Sequence, residues 1–335
     1  MRLVRYAVLL SFMLLYCGYS HAANPDLDFY KGKVVNYIVA TKPGGGYDMY
    51  ARLIGKYIQK YLPGATVIVK NVPGAGHIIG ANETYSAKPN GLTIGTFNTA
   101  LIYSQIVSQP GIKFDLVKYS WIGKANTEKR VLIVDKKSPI KNYADLLGSK
   151  TPVKMVSSGV GAANHQETLL AAEALNLPLK IIPGYMGREG EMAMLRGEVD
   201  GQIGSYVALK PFIVAEGSPM ILQFGATKHP EMPNVPLAIE QKASPKGKKL
   251  LALMANMAEI WRPTAAPPGV PPGRLQVLRD AYKKALTDPA FIKEAGKVGM
   301  DIEPGYGEDV AQMVKSAVNQ PPENIALLKQ IIKID

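Results

Sequence analysis

Short apolar runs alternate with helical patterns along the chain. Residues 33–40, 66–70 and 92–97 are largely apolar, which predicts three buried strands. Between the first two runs, apolar residues recur at helical spacing over residues 50–62 until a Pro-Gly pair ends the pattern. Repeated strand, loop and helix predict parallel strands joined by crossover helices, and therefore an α/β fold.

The same alternation continues through the second half. Residues 262–272 are dense in proline, which predicts a linking loop. A chain of 335 residues with this pattern is long enough for about two domains. Further strands are predicted over residues 131–135, 153–156, 180–182, 200–203 and 220–224, and helices over 165–175, 189–195, 274–286 and 308–318.

The N-terminal segment, residues 1–23, has the pattern of a secretory signal peptide. Arg2 and Arg5 precede an apolar run that is shorter than the roughly 20 residues of a membrane-spanning helix, and small residues follow. We expect cleavage near Ala22-Ala23 and a mature protein outside the cytoplasm. Lipidation of Cys17 is the alternative fate of this segment.

Composition narrows the choice of function. The apolar share of 47% is ordinary for a globular protein, and the single cysteine excludes an intramolecular disulfide, a thiolate zinc site and a CxxC redox pair. The net charge of +12 raises nucleic acid as a partner, but lysine and arginine are scattered in ones and twos. We therefore expect a basic surface that favours anions and does not bind nucleic acid.

Glycines follow the first predicted strand. Gly44, Gly45 and Gly46 allow the backbone to approach a ligand closely, and the helix that follows adds free N–H groups and a positive dipole end. This combination attracts a carboxylate or a phosphate. Asp48 is expected to cap the same helix, a role compatible with ligand contact by the loop.

Residues 157–165 repeat this arrangement in the second half. Small residues and glycines precede Asn164 and His165, which stand at the start of a predicted helix. Serine hydroxyls and loop N–H groups are able to hold a second anionic group there. Two such loops on two domains predict a protein that grips a small acid at both ends.

Evidence for catalysis or a cofactor is weak. Residues 74–80 mimic a dinucleotide fingerprint, but the spacing differs and the next predicted strand ends without a carboxylate, so no nucleotide cofactor is predicted. Histidines and carboxylates are not grouped at metal-ligand spacing. A hydrolase that uses Ser157 or His165 is an alternative. We interpret Asp200 as lining a cleft at a strand end.

Five segments occur in an order that resembles one known family. They are KPGGGYDMYAR (42–52), NVPGAGHIIGAN (71–82), SSGVGAANHQET (157–168), RGEVDG (196–201) and HPEMPNVPLAIE (229–240). Together they resemble the extracytoplasmic substrate-binding proteins of tripartite tricarboxylate transporters, the Bug family. The resemblance runs from about residue 31 to residue 318. Each segment alone is weak, but five in order are specific.

The resemblance implies a type II periplasmic-binding-protein fold, in which two α/β lobes are joined by a two-crossing hinge with a ligand cleft between them. Residues 24–126 and 226–335 then form lobe 1, and residues 127–225 form lobe 2. The implied function is capture of a small organic carboxylate by hinge closure and delivery to a membrane permease, without catalysis. A ligand-sensing partner of a membrane receptor is the alternative. We expect a monomer with no cofactor and no metal.

The family pattern also implies which residues touch the ligand. Lys42 and Ala162-Ala163 depart from it, because family members often carry an aromatic residue and a serine there, and this leaves the size and charge of the ligand open. The implied ligand-binding residues are Gly44, Gly45, Gly46, Asp48, Asn98, Thr99, Ser157, Gly159, Gly161, Ala162, Asn164, His165, Asp200 and Ser205.

Overall fold

The strands form two separate sheets. The computed structural model describes residues 24–160 and 162–332, so the predicted signal peptide, with Cys17, and Gly161 lie outside the described residues. In chain order the strands are β1 (Val34–Val39), β2 (Thr66–Asn71), β3 (Thr93–Thr96), β4 (Ser120–Asn126), β5 (Arg130–Val134), β6 (Val153–Ser157), β7 (Leu179–Pro183), β8 (Gly201–Ser205), β9 (Met220–Phe224), β10 (Trp261–Ala266) and β11 (Gly305–Tyr306).

Helices connect and cover these strands. Two short 3₁₀ turns, Ala75–His77 and Ala238–Glu240, add to them. The α-helices are α1 (Pro25–Asp28), α2 (Gly46–Lys60), α3 (Ile78–Ser86), α4 (Leu101–Ile106), α5 (Tyr143–Leu147), α6 (Ala163–Leu175), α7 (Glu189–Leu195), α8 (Tyr206–Glu216), α9 (Pro245–Ala258), α10 (Pro272–Thr287), α11 (Pro289–Lys297), α12 (Gly307–Val318) and α13 (Pro322–Ile331).

The first sheet has the strand order β11-β4-β10-β3-β1-β2. Strand β1 pairs in parallel with β2 and β3, as the strand–loop–helix pattern predicted. Helix α2 spaces its apolar side chains so that Tyr50, Ile54 and Ile58 are buried on one face. They join a core that includes Tyr37 of β1 and Tyr282 of α10. This packing fixes the helix start at the end of β1.

Strand β10 overlaps the proline-dense segment that was predicted to be a linking loop, so that prediction is wrong for residues 262–266. All six residues of β10 are buried, and the strand pairs antiparallel with β3 and β4. Pro263 fits because β3 pairs only with Thr264 and Ala265, so the proline has no strand partner on that side among the described residues. Proline is tolerated where a strand has no neighbour to receive its missing N–H.

The second sheet has the order β7-β6-β8-β5-β9. Strands β6, β7 and β8 are parallel, and β5 runs antiparallel to both β8 and β9. All five residues of β5 are buried, and residues 131–134 form the apolar run that predicts a buried strand. Strand β8 and strand β6 therefore end at the same edge of this sheet.

The chain crosses from the first sheet to the second between β4 and β5. It returns through α9, which packs against α6 beside the second sheet, and then enters β10. The backbone N–H of Glu128 donates to the carbonyl of Ala258 over 2.8 Å, so the two crossings lie side by side. The lobe boundaries at 126 and 226 stay a prediction. Within residues 24–160 and 162–332, no helix has the length and apolar character needed to cross a membrane.

Candidate functional site

A cavity of about 900 Å³ opens between the two sheets, and loops from both form its walls. This volume suits a small organic molecule. From the first sheet come residues within 40–47 and 73–77, together with Asn98 and the start of β10. From the second sheet come residues within 158–164, 186–191 and 202–209.

The glycine loop after β1 brings the start of helix α2 to this cavity. Gly44 has a φ of +85°, a conformation that favours glycine, and Gly45 and Gly46 line the cavity. Gly45 is the N-cap residue of α2 and has no side chain to cap the first turn. Backbone donors and the positive end of the helix dipole therefore remain for an anion.

Asp48 holds this loop and does not line the cavity. Its carboxylate accepts hydrogen bonds from the N–H of Gly44, from Nε of Arg52 and from Nδ2 of Asn71, each over 2.9 Å. Burial raises the pKa of Asp48, but these hydrogen bonds outweigh it and leave the pKa below its usual value. The prediction that Asp48 caps α2 is wrong, because Gly45 occupies the N-cap position.

The second loop brings the start of helix α6 to the opposite wall. Gly159, Ala162 and Asn164 line the cavity, and Ala162 is the N-cap residue with no side-chain hydrogen bond to the first turn. Oδ1 of Asn164 accepts from the N–H of Ser158 over 3.2 Å, which fixes the loop to the helix. Like the glycine loop of the first sheet, this loop lines the cavity and leads into a helix whose N-cap residue makes no side-chain hydrogen bond.

Ser157 and His165 support this loop from behind. Oγ of Ser157 lies 2.8 Å from Nδ1 of His165 and accepts from the N–H of Gly159 over 3.1 Å. Burial lowers the pKa of His165. Ser157 is fully buried and neither residue lines the cavity, so the serine hydroxyl does not face a substrate. The geometry therefore gives no support to the hydrolase alternative.

Asn98 and His77 form one side of the cavity at the end of β3. The N–H of Asn98 donates to Nδ1 of His77 over 3.1 Å, which places the single ring proton on Nε2. Burial, with the charge of Arg262 as the second cause, lowers the pKa of His77 to about 3. The ring is neutral at physiological pH. Nδ2 of Asn98 donates to the carbonyl of Gly76 over 3.0 Å.

Of three further residues predicted to bind the ligand, one lines the cavity and two do not. Ser205 lines the cavity at the end of β8, and Thr99 is buried outside it. Asp200 precedes β8 and accepts the N–H of Lys154 over 2.7 Å. It is separated from Ser205 by the length of the strand, roughly 16 Å. Asp200 therefore lies at the wrong end of β8 for the cavity.

Sequence reasoning missed two arginines that line the cavity, Arg130 in β5 and Arg262 in β10. They are 7% and 6% exposed. Arg130 begins β5, one position outside the strand predicted at 131–135, and Arg262 is the second residue of β10, inside the loop predicted at 262–272, so neither had a clear signal in the sequence. Arginine is almost never fully buried unless it is paired.

The two arginines differ in their partners. Nε and Nη2 of Arg130 donate to Oε2 of Glu167 over 2.8 and 2.5 Å. Within the part of the chain that the structure describes, Arg262 has no ion pair within 4.0 Å, and its Nε is buried without a hydrogen-bond partner. Its Cζ lies 4.0 Å from the ring centroid of Tyr47. No cluster of three metal-ligating side chains occurs among the described residues.

The model of the tripartite tricarboxylate transporter family receptor (TctC) matches residues 50–330. The chain belongs to this family. Among its relatives is the UPF0065 protein in the tcbD-tcbE intergenic region of Pseudomonas sp. (strain P51), which is 26% identical over 296 residues. That match covers 87% of this chain and 84% of the relative. The predicted membership in the Bug family is confirmed.

Solved structures show the same fold. The periplasmic binding protein BugD superposes with a TM-score of 0.71 at 22% identity, over 91% of this chain and 99% of that one. MatC from Rhodopseudomonas palustris with bound malate gives a TM-score of 0.69 at 20% identity, over 90% and 99% of the two chains. The predicted type II periplasmic-binding-protein fold class is confirmed. The fold and the receptor family together give the chain a solute-binding role.

Proposed function

We propose that this protein is a periplasmic receptor that captures a small organic carboxylate and delivers it to a membrane transporter of the tripartite tricarboxylate type. One observation carries the proposal. Helices α2 and α6, one from each sheet, begin at the same cavity without a side-chain cap from their N-cap residues. Two positive helix ends that face one cavity suit an acid held from both sides.

The proposed mechanism is closure of the two lobes around the acid. An acid that contacts both loops binds the closed arrangement better than the open one, and this difference in affinity shifts the equilibrium between them. The paired crossings at residues 126–130 and 258–261 are the proposed hinge. The residues proposed to contact the acid are Gly45, Gly46, Asn98, Gly159, Ala162, Asn164 and Ser205.

Several observations favour a carboxylate over a neutral solute. Lys42, Arg130 and Arg262 line the cavity, and the neutral ring of His77 carries its proton on Nε2. Among the structures with this fold, MatC holds malate. Backbone N–H groups at helix starts and arginine side chains are the donors that carboxylates prefer.

A thermal-shift screen of refolded, ligand-stripped protein tests the proposal. The panel contains acetate, succinate, malate, adipate, citrate and glutamate, with glucose and magnesium chloride as controls. We expect at least one acid to raise the melting temperature, since a ligand at one hundred times its dissociation constant stabilises a protein by about 2.7 kcal/mol. A shift with glucose or magnesium chloride alone would contradict the proposal.

Delivery is tested separately in the source bacterium. Deletion of the gene is expected to abolish uptake of the radiolabelled acid that gives the largest thermal shift, and the intact gene on a plasmid is expected to restore uptake. Unchanged uptake together with a lost transcriptional response to the acid would contradict transport and indicate a sensing role instead.

A further inference from the structure

Arg262 occupies an unusual position in the first sheet. Its φ is +51°, in the left-handed region that non-glycine residues rarely adopt, within a strand whose residues are all buried. Backbone strain of this kind persists where the surrounding structure holds it, and it is common at ligand-binding sites. The conformation accompanies a side chain that lines the cavity.

Aromatic rings and a glycine hold the guanidinium in place. Cζ of Arg262 lies 4.0 Å from the ring centroid of Tyr47, 5.3 Å from that of Tyr50 and 5.2 Å from that of Trp261. A Cβ on Gly46 would lie 2.5 Å from Nη2 of Arg262. The guanidinium therefore occupies space that only glycine leaves open at the start of α2.

Two sources of positive charge, the guanidinium of Arg262 and the start of helix α2, lie side by side. The guanidinium lies beside the N-terminal turn of α2, where the helix dipole is also positive. Nε of Arg262 is buried without a hydrogen-bond partner, and no carboxylate of the described residues pairs with the side chain within 4.0 Å. An unpaired buried cation is costly, and an anion placed here removes that cost.

Glu128 is a buried carboxylate that interacts with Arg262 and is therefore a candidate counter-charge. It is 1% exposed and interacts electrostatically with Arg262 and Arg130, but its Oε1 has no hydrogen-bond partner among the described residues. Burial raises the pKa of Glu128 to about 7. Its carboxyl therefore holds a proton more readily than an exposed glutamate does and is a weak counter-charge for Arg262.

We infer that Arg262 anchors one carboxylate of the ligand through its side chain, at a position within reach of both the guanidinium and the first N–H groups of α2. The inference rests on the proposed function and adds to it a side-chain contact that decides the charge of the ligand. A planar guanidinium with several free donors matches the two oxygens of a carboxylate. The loop before α6 then holds the other end of the molecule.

Isothermal titration of the variants Arg262→Met and Arg262→Lys with each acid of the panel tests the inference. Methionine keeps the apolar stem and removes the charge, and we expect an association constant about one hundredfold lower. Lysine keeps the charge but loses the planar donors, and we expect a loss of about tenfold. The control is Arg196→Met, which removes an exposed arginine that does not line the cavity and is expected to leave binding unchanged.

A comparison of acids with their half-amides separates binding from a merely structural role. Succinamate and adipamate replace one carboxylate of succinate and adipate by an amide of similar shape. The wild-type protein is expected to prefer the diacid about tenfold or more, and Arg262→Met is expected to lose this preference. Urea unfolding checks that each variant folds.

The outcomes are distinguishable. Acid binding that persists undiminished in Arg262→Met overturns the inference and leaves the proposed function intact. Absence of binding of every acid by the wild-type protein overturns the proposed function, and the inference falls with it. An equal loss in Arg196→Met and Arg262→Met indicates a general charge effect and also overturns the inference.

Discussion

Arg130 and Arg262 line one cavity with almost the same exposure, and the ring of Trp261 lies within 5.2 Å of both guanidinium groups. Arg130 is bound by Glu167 through two hydrogen bonds, whereas Arg262 has aromatic rings around it and no ion pair within 4.0 Å among the described residues. The comparison teaches that burial alone does not distinguish a structural arginine from a binding one. The partner does.

The largest expected effect is the loss of stability when the ion pair between Arg130 and Glu167 is broken. Arg130→Met leaves Glu167 buried without its partner, and we expect a loss of about 3–5 kcal/mol in the free energy of unfolding. Arg262→Met removes a cation that has no ion pair within 4.0 Å among the described residues, so we expect a change within about 1 kcal/mol. Urea unfolding of ligand-free protein measures both.

A double variant controls this test. Arg130→Met combined with Glu167→Leu removes both charges and is expected to recover much of the stability that Arg130→Met loses. An equal loss of stability in Arg130→Met and Arg262→Met would erase the distinction between the two arginines.

The next largest expected effect is a pH dependence of stability that arises from Glu128, which interacts with both arginines. Burial raises its pKa from 4.5 to about 7, so the folded chain holds a proton between these values that the unfolded chain has released. Stability therefore decreases as the pH rises from about 4.5 to about 7. Glu128→Gln removes the charge and is expected to gain up to about 3 kcal/mol over the wild type at about pH 8.

The measurement is the difference in unfolding free energy between Glu128→Gln and the wild type at each pH. At about pH 4 this difference is expected to be small, because the wild-type carboxyl is then protonated. A difference that stays constant from acid to alkaline pH contradicts the prediction.

Gly46→Ala disturbs Arg262 and leaves Arg130 in place. Its Cβ would lie 2.5 Å from Nη2 of Arg262, so the guanidinium must move, and we expect acid binding to weaken by about tenfold. Stability is expected to hold, because alanine is a better helix residue than glycine. In Gly45→Ala the added Cβ meets no atom within 4 Å, so a smaller loss is expected. Equal losses in the two variants, measured by calorimetry, contradict the role of Arg262.

The smallest effect concerns the second loop. Ser157→Ala removes the hydroxyl that holds Gly159 and His165, and both of those bonds are neutral. We expect acid affinity to fall by about threefold, since a neutral hydrogen bond contributes about 1 kcal/mol. A loss as large as that of Arg262→Met would show that the charged contact is not dominant.

Local features of this molecule were predictable from the sequence, and distant pairings were not. Glycines and apolar periodicity are encoded over a few neighbouring residues, so the strand, loop and helix around Gly45 and the parallel core of the first sheet were found. Strand β10 was missed because its proline signals a loop locally, and only pairing with β3 and β4 reveals the strand.

The site shows the same limit. Asp200 was placed in the cleft, but β8 runs parallel to β6 and its carboxyl end, at Ser205, reaches the cavity. Asp48 looked like a helix cap, yet its carboxylate turns back to Gly44 and Asn71. Arg262 was not identified because its burial depends on Tyr47 and Gly46, which lie far away in sequence.

The backbone hydrogen bond between Glu128 and Ala258 has a mechanical consequence. It ties the outgoing and the returning chain at one point, so the proposed closure of the lobes turns about that point. A loop then travels an arc in proportion to its distance from that point.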